Sequence, residues 1–473
     1  MANSNTYDYR LFIRKNILIV VDTLLILLSL FLYLRFFHPT AFESYYTFTD
    51  NVIWTLAIVI LWYFYAAIFD MYKISRLNKT AEIIKNTIIT ATLTGITYIF
   101  IPYISPTLPL NRMPAFVLIG TMVILLLIWR VVYSLVFQHP ILVKRALVIG
   151  AGWTGRELVK TLTQNEKIYH NTGYYFFGFI DDDAEKQQRT IDNLKVLGGS
   201  NMLYKFVRRL KINELIMAIP EHESLKSQLV GALVDCENYG THVSYAFDIY
   251  EEQTGKVMVK FRNNEYYLAN PYRIIQSNAF YTVTNRIINV ICGIIAGVIF
   301  IPIAFMIYVL NLLASRGSLF YSQERVGKNG SVFTIFKFRT MIPDAEINSG
   351  PQFASLNDPR ITKIGRWLRK TRLDELPQFW NILKGEMNLI GPRPERKIFV
   401  DALSQTIPFF KLRNAVKPGL TGWAQVNHKY ASDSEDSLIK LQYDLYYIKH
   451  RSFTLDLWIV LRTIGVVIKF KGT

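Results

Sequence analysis

The chain has 473 residues and a formal net charge of +17, yet 51% of its residues are hydrophobic and its mean hydropathy is +0.20. This composition excludes a disordered basic protein, which would lack apolar residues, and the length predicts about three domains. Basicity combined with high hydropathy leaves a nucleic-acid-binding protein with a large core or a membrane protein facing anionic lipid. Cys236 and Cys292 are too far apart for a disulfide framework or a cysteine zinc site.

The basic excess is unevenly distributed along the chain. The net charge is +5 over residues 1–144, zero over residues 145–285 and +12 over residues 286–473. Anionic partners are therefore expected mainly for the last section.

Residues 1–144 are predicted to form a transmembrane domain of four helices. Its apolar runs approach the length of about 20 residues that crosses a hydrocarbon core, and they lie at 16–34, 52–69, 83–101 and 115–137. Lysine and arginine are concentrated at the N-terminus, in the second loop and after the fourth run, which places both ends in the cytoplasm. Asp22 lies inside the first run. An intramembrane carboxylate is a functional candidate, but the favoured interpretation places it near the cytoplasmic edge among water and cations.

Residues 145–270 are predicted to form a Rossmann-like α/β domain. Gly150, Gly152 and Gly155 form a GxGxxG turn between a strand and a helix, a pattern that brings a phosphate to a helix N-terminus. Further strands are predicted at 174–180, 214–219 and 242–247, which favours a parallel sheet. Asp181 comes later than the usual ribose-binding acid, and the chain has no YxxxK pair. A scaffold without redox chemistry is favoured, and a regulatory nucleotide or nucleotide-sugar site and a redox cofactor site stay open.

Residues 271–315 are predicted to form a linker followed by a re-entrant membrane helix. The apolar run 287–310 is long enough to span, and Arg286 and Arg316 flank it. A crossing would place the section of charge +12 outside, against the positive-inside tendency. Pro302 removes a backbone hydrogen bond within the run. The helix is therefore expected to enter from the cytoplasm, break near Pro302 and return, with a fifth crossing as the alternative.

Residues 316–473 contain the candidate catalytic site. Asp374 and Glu375 precede Pro377, a residue that favours the first position of a helix. The helix dipole and nearby cations, including Arg372, are expected to favour the ionised form of Asp374. An ionised aspartate can act as a nucleophile on phosphorus, and a neighbouring glutamate can bind Mg²⁺. The alternative is a solvated run of charges at the start of a helix.

Several further segments have phosphate-binding chemistry. Lys337 and Arg339 are predicted to share one face of a strand. Two prolines flank Arg393 in a rigid turn, which suits bidentate phosphate binding. The glycine-rich loop 417–425 suits a base or a phosphate. Carboxylates combined with such cations indicate phosphoryl transfer, and none of the seven histidines is paired at the spacing of zinc ligands.

Six motifs occur in a characteristic order in this last section. They are Arg325-Val-Gly-Lys-Asn-Gly, Lys337-Phe-Arg-Thr-Met, Asp358-Pro-Arg-Ile-Thr, Leu373-Asp-Glu-Leu-Pro-Gln, Gly391-Pro-Arg-Pro-Glu and Lys417-Pro-Gly-Leu-Thr-Gly-Trp-Ala-Gln-Val. Together they resemble the bacterial polyprenyl-phosphate glycosyl-1-phosphate transferases, the monotopic phosphoglycosyl transferases. The four-span N-terminus and the Rossmann-like middle domain resemble the long form of this family, so the resemblance covers the whole chain.

The resemblance implies a two-step reaction. Asp374 would attack the sugar-bearing phosphate of a UDP-sugar and release UMP, and undecaprenyl phosphate would then take the sugar phosphate from the enzyme. Glu375 would hold Mg²⁺, the only cofactor implied, while Lys337 and Arg393 would bind phosphate. The family pattern also selects Asp444, a further acid, and Lys429, a cation where the family often has arginine.

The resemblance further implies the first membrane step of capsule, exopolysaccharide or O-antigen synthesis. The enzyme would work at the cytoplasmic face of the bacterial inner membrane, with glucose or galactose as the transferred hexose. The C-terminal stretch 453–470 is expected to lie in the membrane interface, with a core helix as the alternative. No nucleic-acid-binding motif occurs, and a homodimer is compatible with the sequence. Competing hypotheses are a membrane-bound nucleotide-sugar dehydratase or epimerase and a non-catalytic scaffold of polysaccharide assembly.

Overall fold

The computed structural model describes most of the chain in two compact units, Met1–Ile249 and Tyr250–Thr473. The described residues are 5–37, 48–69, 71–72, 80–101, 113–137, 144–163, 174–219, 225–262, 265–268, 279–314, 317–342, 358–428 and 434–468. The first unit contains the N-terminal helices and the larger sheet. The second unit contains the carboxylates singled out in the sequence.

Four long helices open the first unit. They are α1 (Asn5–Phe37), α2 (Phe48–Ile68), α3 (Thr80–Phe100) and α4 (Met113–Phe137). Three of them contain stretches long and apolar enough to cross a membrane, and α2 contains a shorter apolar stretch, Val52–Ile68. The described helices fit a membrane protein, as the apolar runs in the sequence predicted.

A buried ion pair joins the first and last of these helices. Asp22 and Arg130 are almost fully excluded from solvent, and Arg130 Nη2 lies 2.5 Å from Asp22 Oδ2. Tyr72 donates a hydrogen bond to the same oxygen at 2.7 Å, and Arg130 also donates to the carbonyl of Met71. The expectation that water surrounds Asp22 was wrong. Arg130, which lies on α4, supplies the counter-charge between the packed helices.

A six-stranded sheet follows α4 in the first unit. Its strands are β1 (Lys144–Ile149), β2 (Tyr174–Ile180), β3 (Thr190–Ile191), β4 (Leu194–Gly198), β5 (Glu214–Met217) and β6 (His242–Tyr245). The spatial order is β3-β4-β2-β1-β5-β6, and only β3 pairs antiparallel to its neighbour. Helices α5 (Trp153–Thr163), α6 (Leu203–Leu210) and α7 (Ser227–Asn238) connect the strands. Alternating strands and helices thus give a largely parallel sheet.

The glycine-rich turn joins β1 to α5. Gly150 has a φ of +102°, and a Cβ on Gly155 would collide with the carbonyl oxygen of Gly150. Both positions therefore require glycine for the tight turn and for close packing of helix on strand. Asp181 directly follows β2, and its Oδ2 accepts a hydrogen bond from the amide of Ala151 at 2.8 Å. The sequence did not predict that Asp181 contacts the glycine-rich turn, because Asp181 comes later than the usual ribose-binding acid.

The second unit begins at Tyr250, in the middle of helix α8 (Ala246–Thr254). The hairpin β7 (Val259–Arg262) and β8 (Glu265–Leu268) comes next, and then the 36-residue helix α9 (Ala279–Ala314). Pro302 lies inside α9, which continues through it as one helix. The predicted break at Pro302 is therefore not an interruption of the helix. Proline removes one hydrogen bond and can kink a helix without ending it.

The remaining elements form a compact, mainly helical domain. They are β9 (Phe320–Val326), β10 (Val332–Phe338), α10 (Lys363–Thr371), α11 (Phe379–Lys384), β11 (Asn388–Ile390), α12 (Lys397–Thr406), β12 (Gly419–Thr421), α13 (Trp423–Asn427), α14 (Ser434–Lys449) and α15 (Phe453–Ile468). Strands β9 and β10 pair antiparallel, and β11 and β12 pair parallel.

The C-terminal helix α15 is half buried in this domain. Ile459 is fully buried in an apolar core that also contains Leu441 and Leu445, whereas Leu457 is 59% exposed. The buried carboxylate of Asp456 accepts a hydrogen bond from the hydroxyl of Tyr447 at 3.0 Å. One face of α15 is thus a core face, which the sequence offered only as the alternative interpretation.

Candidate functional site

The adjacent carboxylates lie in a short 3₁₀ helix, Leu373–Gln378, between α10 and α11. Arg372 ends α10 with a φ of +61°. This left-handed conformation is uncommon for a residue other than glycine, and it turns the chain so that Asp374 and Glu375 lie in the first turn of the 3₁₀ helix. Pro377 lies within this helix and does not begin an α-helix as the sequence predicted.

Three cations converge on one oxygen of Glu375. Its Oε1 lies 2.7 Å from Arg393 Nη2, 3.0 Å from Lys337 Nζ and 3.7 Å from Arg372 Nη1. Burial by itself would raise the pKa of Glu375. The charges of Arg393, Lys337 and Arg372 outweigh burial and hold the pKa well below its ordinary value. Glu375 is therefore ionised throughout the physiological pH range.

Asp374 has a different environment although it is the next residue. Its side chain is buried, and its Oδ1 has no hydrogen-bond partner in the part of the chain that the structure describes. Burial, reinforced by the negative charge of Glu375, raises the pKa of Asp374 to about 6, against the opposing charges of Lys337 and Arg372. The sequence had predicted cations and a helix dipole that favour ionisation. That prediction gave the wrong direction because Glu375 engages the cations and desolvation dominates at Asp374.

Lys337 and Arg339 are two residues apart, but their side chains bind different parts of the domain. Lys337 lies near the end of β10 and reaches Glu375. Arg339 lies one residue beyond that strand, donates to the carbonyl of Ser318 at 2.7 Å and donates to Asn311 Oδ1 at 3.0 Å. Its guanidinium thus binds near the C-terminal end of α9. The strand ends before Arg339, so the shared face expected from the sequence does not extend to it.

Two glycines allow the turn that carries Arg393 to pack against the loop that precedes β12. A Cβ on Gly391 would lie 2.6 Å from the carbonyl oxygen of Lys417, and a Cβ on Gly419 would collide with Gly391. The amide of Gly419 donates to the carbonyl of Pro392 at 2.9 Å. Side chains at these glycines would push the two segments apart and move Arg393 away from Glu375.

Asp444 lies behind Arg393 and does not contact the carboxylate pair. Asp444 Oδ2 forms an ion pair with Arg413 Nη2 at 2.8 Å, and both side chains are buried. The same guanidinium donates to the carbonyl of Arg393 at 3.0 Å and lies 3.7 Å from Glu395 Oε1. Burial raises the pKa of Asp444 to about 6, although Arg413 opposes the shift. No motif in the sequence pointed to Arg413. Its role is shown only by its contacts with Asp444 and with the carbonyl of Arg393.

The other predicted site residues are Lys429, the three glycines of the middle domain and Pro302. Lys429 lies outside the described residues. Gly150, Gly152 and Gly155 belong to the first unit, and Pro302 lies within α9.

The site offers carboxylate oxygens, the ligand type that a magnesium ion binds. Among the described residues, no group of three or more histidine, cysteine or acidic side chains forms a ready metal site. Mg²⁺ usually takes only one or two protein carboxylates and fills its remaining positions with water and substrate phosphate. Ionised Glu375 supplies such a carboxylate, because its three ion pairs are at Oε1 and its Oε2 lies 3.4 Å from Arg393 Nη1.

Comparisons with known proteins identify the family of this chain. The family model described as bacterial sugar transferase matches residues 280–470, and the model described as CoA-binding domain matches residues 67–238. Galactosyl transferase CpsE of Streptococcus agalactiae serotype III is 31% identical over 67% of this chain and 71% of its own length. The chain belongs to the bacterial sugar transferase family.

Two further relatives match at similar levels. The UDP-N-acetylgalactosamine-undecaprenyl-phosphate N-acetylgalactosaminephosphotransferase of Aeromonas hydrophila is 38% identical over 55% of this chain. The UDP-glucose:undecaprenyl-phosphate glucose-1-phosphate transferase of Xanthomonas campestris pv. campestris is 30% identical over 68% of this chain. The chain spans 60% and 66% of the lengths of these two relatives.

We predict that Arg413→Met destabilises the protein by about 3–5 kcal/mol, because it leaves the buried carboxylate of Asp444 without its cation. Thermal unfolding of the purified chain would measure the change. Removing both charges with Arg413→Met and Asp444→Leu should recover much of the loss. Lys397→Met, at an exposed ion pair with Asp401, should change stability by no more than about 0.5 kcal/mol. Equal losses for Arg413→Met and Lys397→Met would contradict the assignment.

Proposed function

We propose that this protein transfers a sugar-1-phosphate from a UDP-sugar to undecaprenyl phosphate and releases UMP. The observation that carries the proposal is the pairing of unlike carboxylates: Asp374 is buried with an unpartnered oxygen, and Glu375 beside it attracts three cations. Such an arrangement offers a nucleophile and a positively charged setting for phosphate oxygens. The names of the relatives, which include undecaprenyl-phosphate as acceptor, support the same chemistry.

In the first step, Asp374 Oδ1 attacks the phosphorus that carries the sugar. A bond forms between that oxygen and phosphorus while the bond from phosphorus to the bridging oxygen breaks, and UMP leaves with the electron pair. Lys337 and Arg393 are placed to bind the phosphate oxygens that gain charge. Since both cations also contact Glu375, that carboxylate holds them beside the nucleophile in the absence of substrate.

In the second step, an oxygen of undecaprenyl phosphate attacks the same phosphorus. The bond to Asp374 breaks, the carboxylate is regenerated and a diphosphate-linked lipid sugar is formed. Mg²⁺, held by Glu375 together with substrate phosphate oxygens, would supply further charge neutralisation. The donor sugar is proposed to be a hexose, with glucose and galactose favoured by the resemblance to the long form of the family; the relatives' names add N-acetylgalactosamine.

We also propose that α9 is re-entrant at the cytoplasmic face of the bacterial inner membrane. Near its start, Arg286 donates to the carbonyls of Ile382 and Leu383, and near its end Asn311 binds Arg339. The helix from Arg286 to Asn311 would cover about 38 Å, more than a hydrocarbon core of about 30 Å. Since both ends contact one polar domain, a straight crossing would draw part of that domain into the bilayer.

We propose that the middle domain is a Rossmann-like scaffold. The support is the largely parallel sheet with a glycine-rich turn after β1. The amide of Ala151 in that turn is already bonded to Asp181, so at least one donor of the turn is satisfied by the protein itself. This contact favours a scaffold over a phosphate-binding turn.

We predict that the purified chain, supplied with Mg²⁺ and undecaprenyl phosphate, releases UMP from one member of a panel of UDP-glucose, UDP-galactose and UDP-N-acetylgalactosamine. Asp374→Asn should lower the rate about 10³-fold or more, because the amide cannot attack phosphorus. Asp401→Asn, at an exposed position on α12, is the matched control. Release of UDP, or full activity of Asp374→Asn, would disprove the proposal.

The rate of UMP release should fall as the pH drops through about 6. Asp374 must be ionised to attack, and its raised pKa means that half of the molecules carry a protonated Asp374 at that pH. The pKa of Glu375 is far lower, so Glu375 does not titrate in this range. Lys337→Met should move the midpoint to higher pH, since Lys337 opposes the rise in the pKa of Asp374. A midpoint near 4, the ordinary range for aspartate, would contradict the burial argument.

A cysteine at exposed position 322 tests the topology of α9. In a Cys236→Ala, Cys292→Ala background, Ser322→Cys should resist a membrane-impermeant thiol reagent in sealed cells and react after the cells are opened. A cysteine at position 112, in the loop that the sequence places outside, should react in sealed cells and serves as the control. Labelling of position 322 from outside would show that α9 crosses the membrane.

A further inference from the structure

Three cations gather at the C-terminal end of α11, away from the carboxylate pair. This basic cluster consists of Arg286 on α9 and Lys417 before β12, together with Lys328 in the turn between β9 and β10, whose charge acts on Lys417. A Cβ placed on Gly385 would lie 3.4 Å from both Arg286 Nη1 and Lys417 Nζ. The guanidinium and the ammonium group thus approach a common point, where Gly385, with a φ of +81°, adds no side chain.

No acidic side chain balances this cluster among the described residues. Arg286 is held by the carbonyls of Ile382 and Leu383, each at 2.7 Å. The ammonium groups of Lys417 and Lys328 form neither a hydrogen bond nor an ion pair within the described part of the chain. Burial lowers the pKa of Lys417, and the charges of Arg286 and Lys328 lower it further. Like charges held together in a partly buried place repel one another, and a bound anion would remove that repulsion.

The position of Arg286 indicates the depth of the cluster. Arg286 immediately precedes the apolar part of α9, where Ile287, Ile288 and Ile291 are 54%, 43% and 52% exposed. Cationic side chains at the end of an apolar helix segment lie at the level of the lipid headgroups. Trp380 on α11 is also 49% exposed, which is typical of aromatic residues at a membrane interface.

We propose that Arg286, Lys328 and Lys417 form a second phosphate-binding site at headgroup level, distinct from the Asp374–Glu375 pair. The whole of α11 and the rest of the 3₁₀ helix separate Glu375 from Gly385. Lys417 brings an ammonium group with three donors to the common point. The phosphate of an anionic phospholipid is the expected occupant, and this choice rests on the proposed membrane placement of α9. A soluble phosphate shares the same chemistry.

The test measures ligand retention by the full chain without using turnover. Purified protein in neutral detergent is titrated with phosphatidylglycerol, with phosphatidylcholine or with inorganic phosphate, and bound ligand is counted by native mass spectrometry. Phosphatidylglycerol should be retained preferentially. Lys417→Gln should weaken its binding about fivefold, and adding Lys328→Gln about fivefold more. Lys417→Arg should bind like the wild type. Lys397→Gln, which removes the same charge at an exposed pair with Asp401, is the matched control.

Each outcome decides the proposal. Loss of phosphatidylglycerol binding in Lys417→Gln but not in Lys397→Gln supports a headgroup site. Binding of inorganic phosphate with the same dependence on Lys417, without preference for phosphatidylglycerol, supports a phosphate site supplied from solution. Unchanged binding in the double variant, or an equal loss in Lys397→Gln, overturns the proposal. UMP release is assayed separately, so failure of the proposed reaction would leave the binding result unaffected, and the converse also holds.

Discussion

The geometry of the site depends on the attraction of three cations to one buried oxygen of Glu375. A carboxylate excluded from water needs such partners, since unpaired burial of a charge is costly. Lys337 comes from a strand, Arg372 from the left-handed end of a helix and Arg393 from a turn between prolines. The ion cluster therefore ties three chain segments together beside Asp374. Behind Arg393, the Arg413–Asp444 pair holds the backbone of the turn.

The same cluster of cations also explains why Asp374 and Glu375 have different pKa values. Glu375 takes the positive charges, so burial dominates at Asp374 and its pKa rises. A carboxylate that is ionised near neutral pH but poorly solvated is a better nucleophile than one neutralised by direct ion pairs. Motif spacing correctly grouped Lys337, Arg393, Asp374 and Glu375, because short motifs often mark side chains that meet. It could not tell which carboxylate the cations would contact, since that depends on side-chain geometry.

The fold was predictable where the local pattern was strong and less so where distant contacts decide. The strand Tyr174–Ile180 and the four apolar helices were read correctly from hydropathy and β-branched or aromatic composition. The ion pair between Arg130 and Asp22 could not be predicted from the sequence, because 108 residues separate them. Arg413 is equally inconspicuous in sequence. Helix α9 continues through Pro302, because a proline can kink a helix without ending it, and the local pattern could not tell these outcomes apart.

The contacts at the two ends of α9 have a consequence for how the acceptor reaches the enzyme. Arg286 binds the carbonyl end of α11, and Asn311 binds Arg339 beyond β10. Under the proposed topology, these anchors set the height of the carboxylates above the bilayer and leave little freedom to tilt. A lipid substrate would then meet the enzyme by lateral diffusion, with its prenyl tail still in the hydrocarbon. Encounter becomes a search in two dimensions, whose rate depends on the surface density of the lipid and not on its solubility in water.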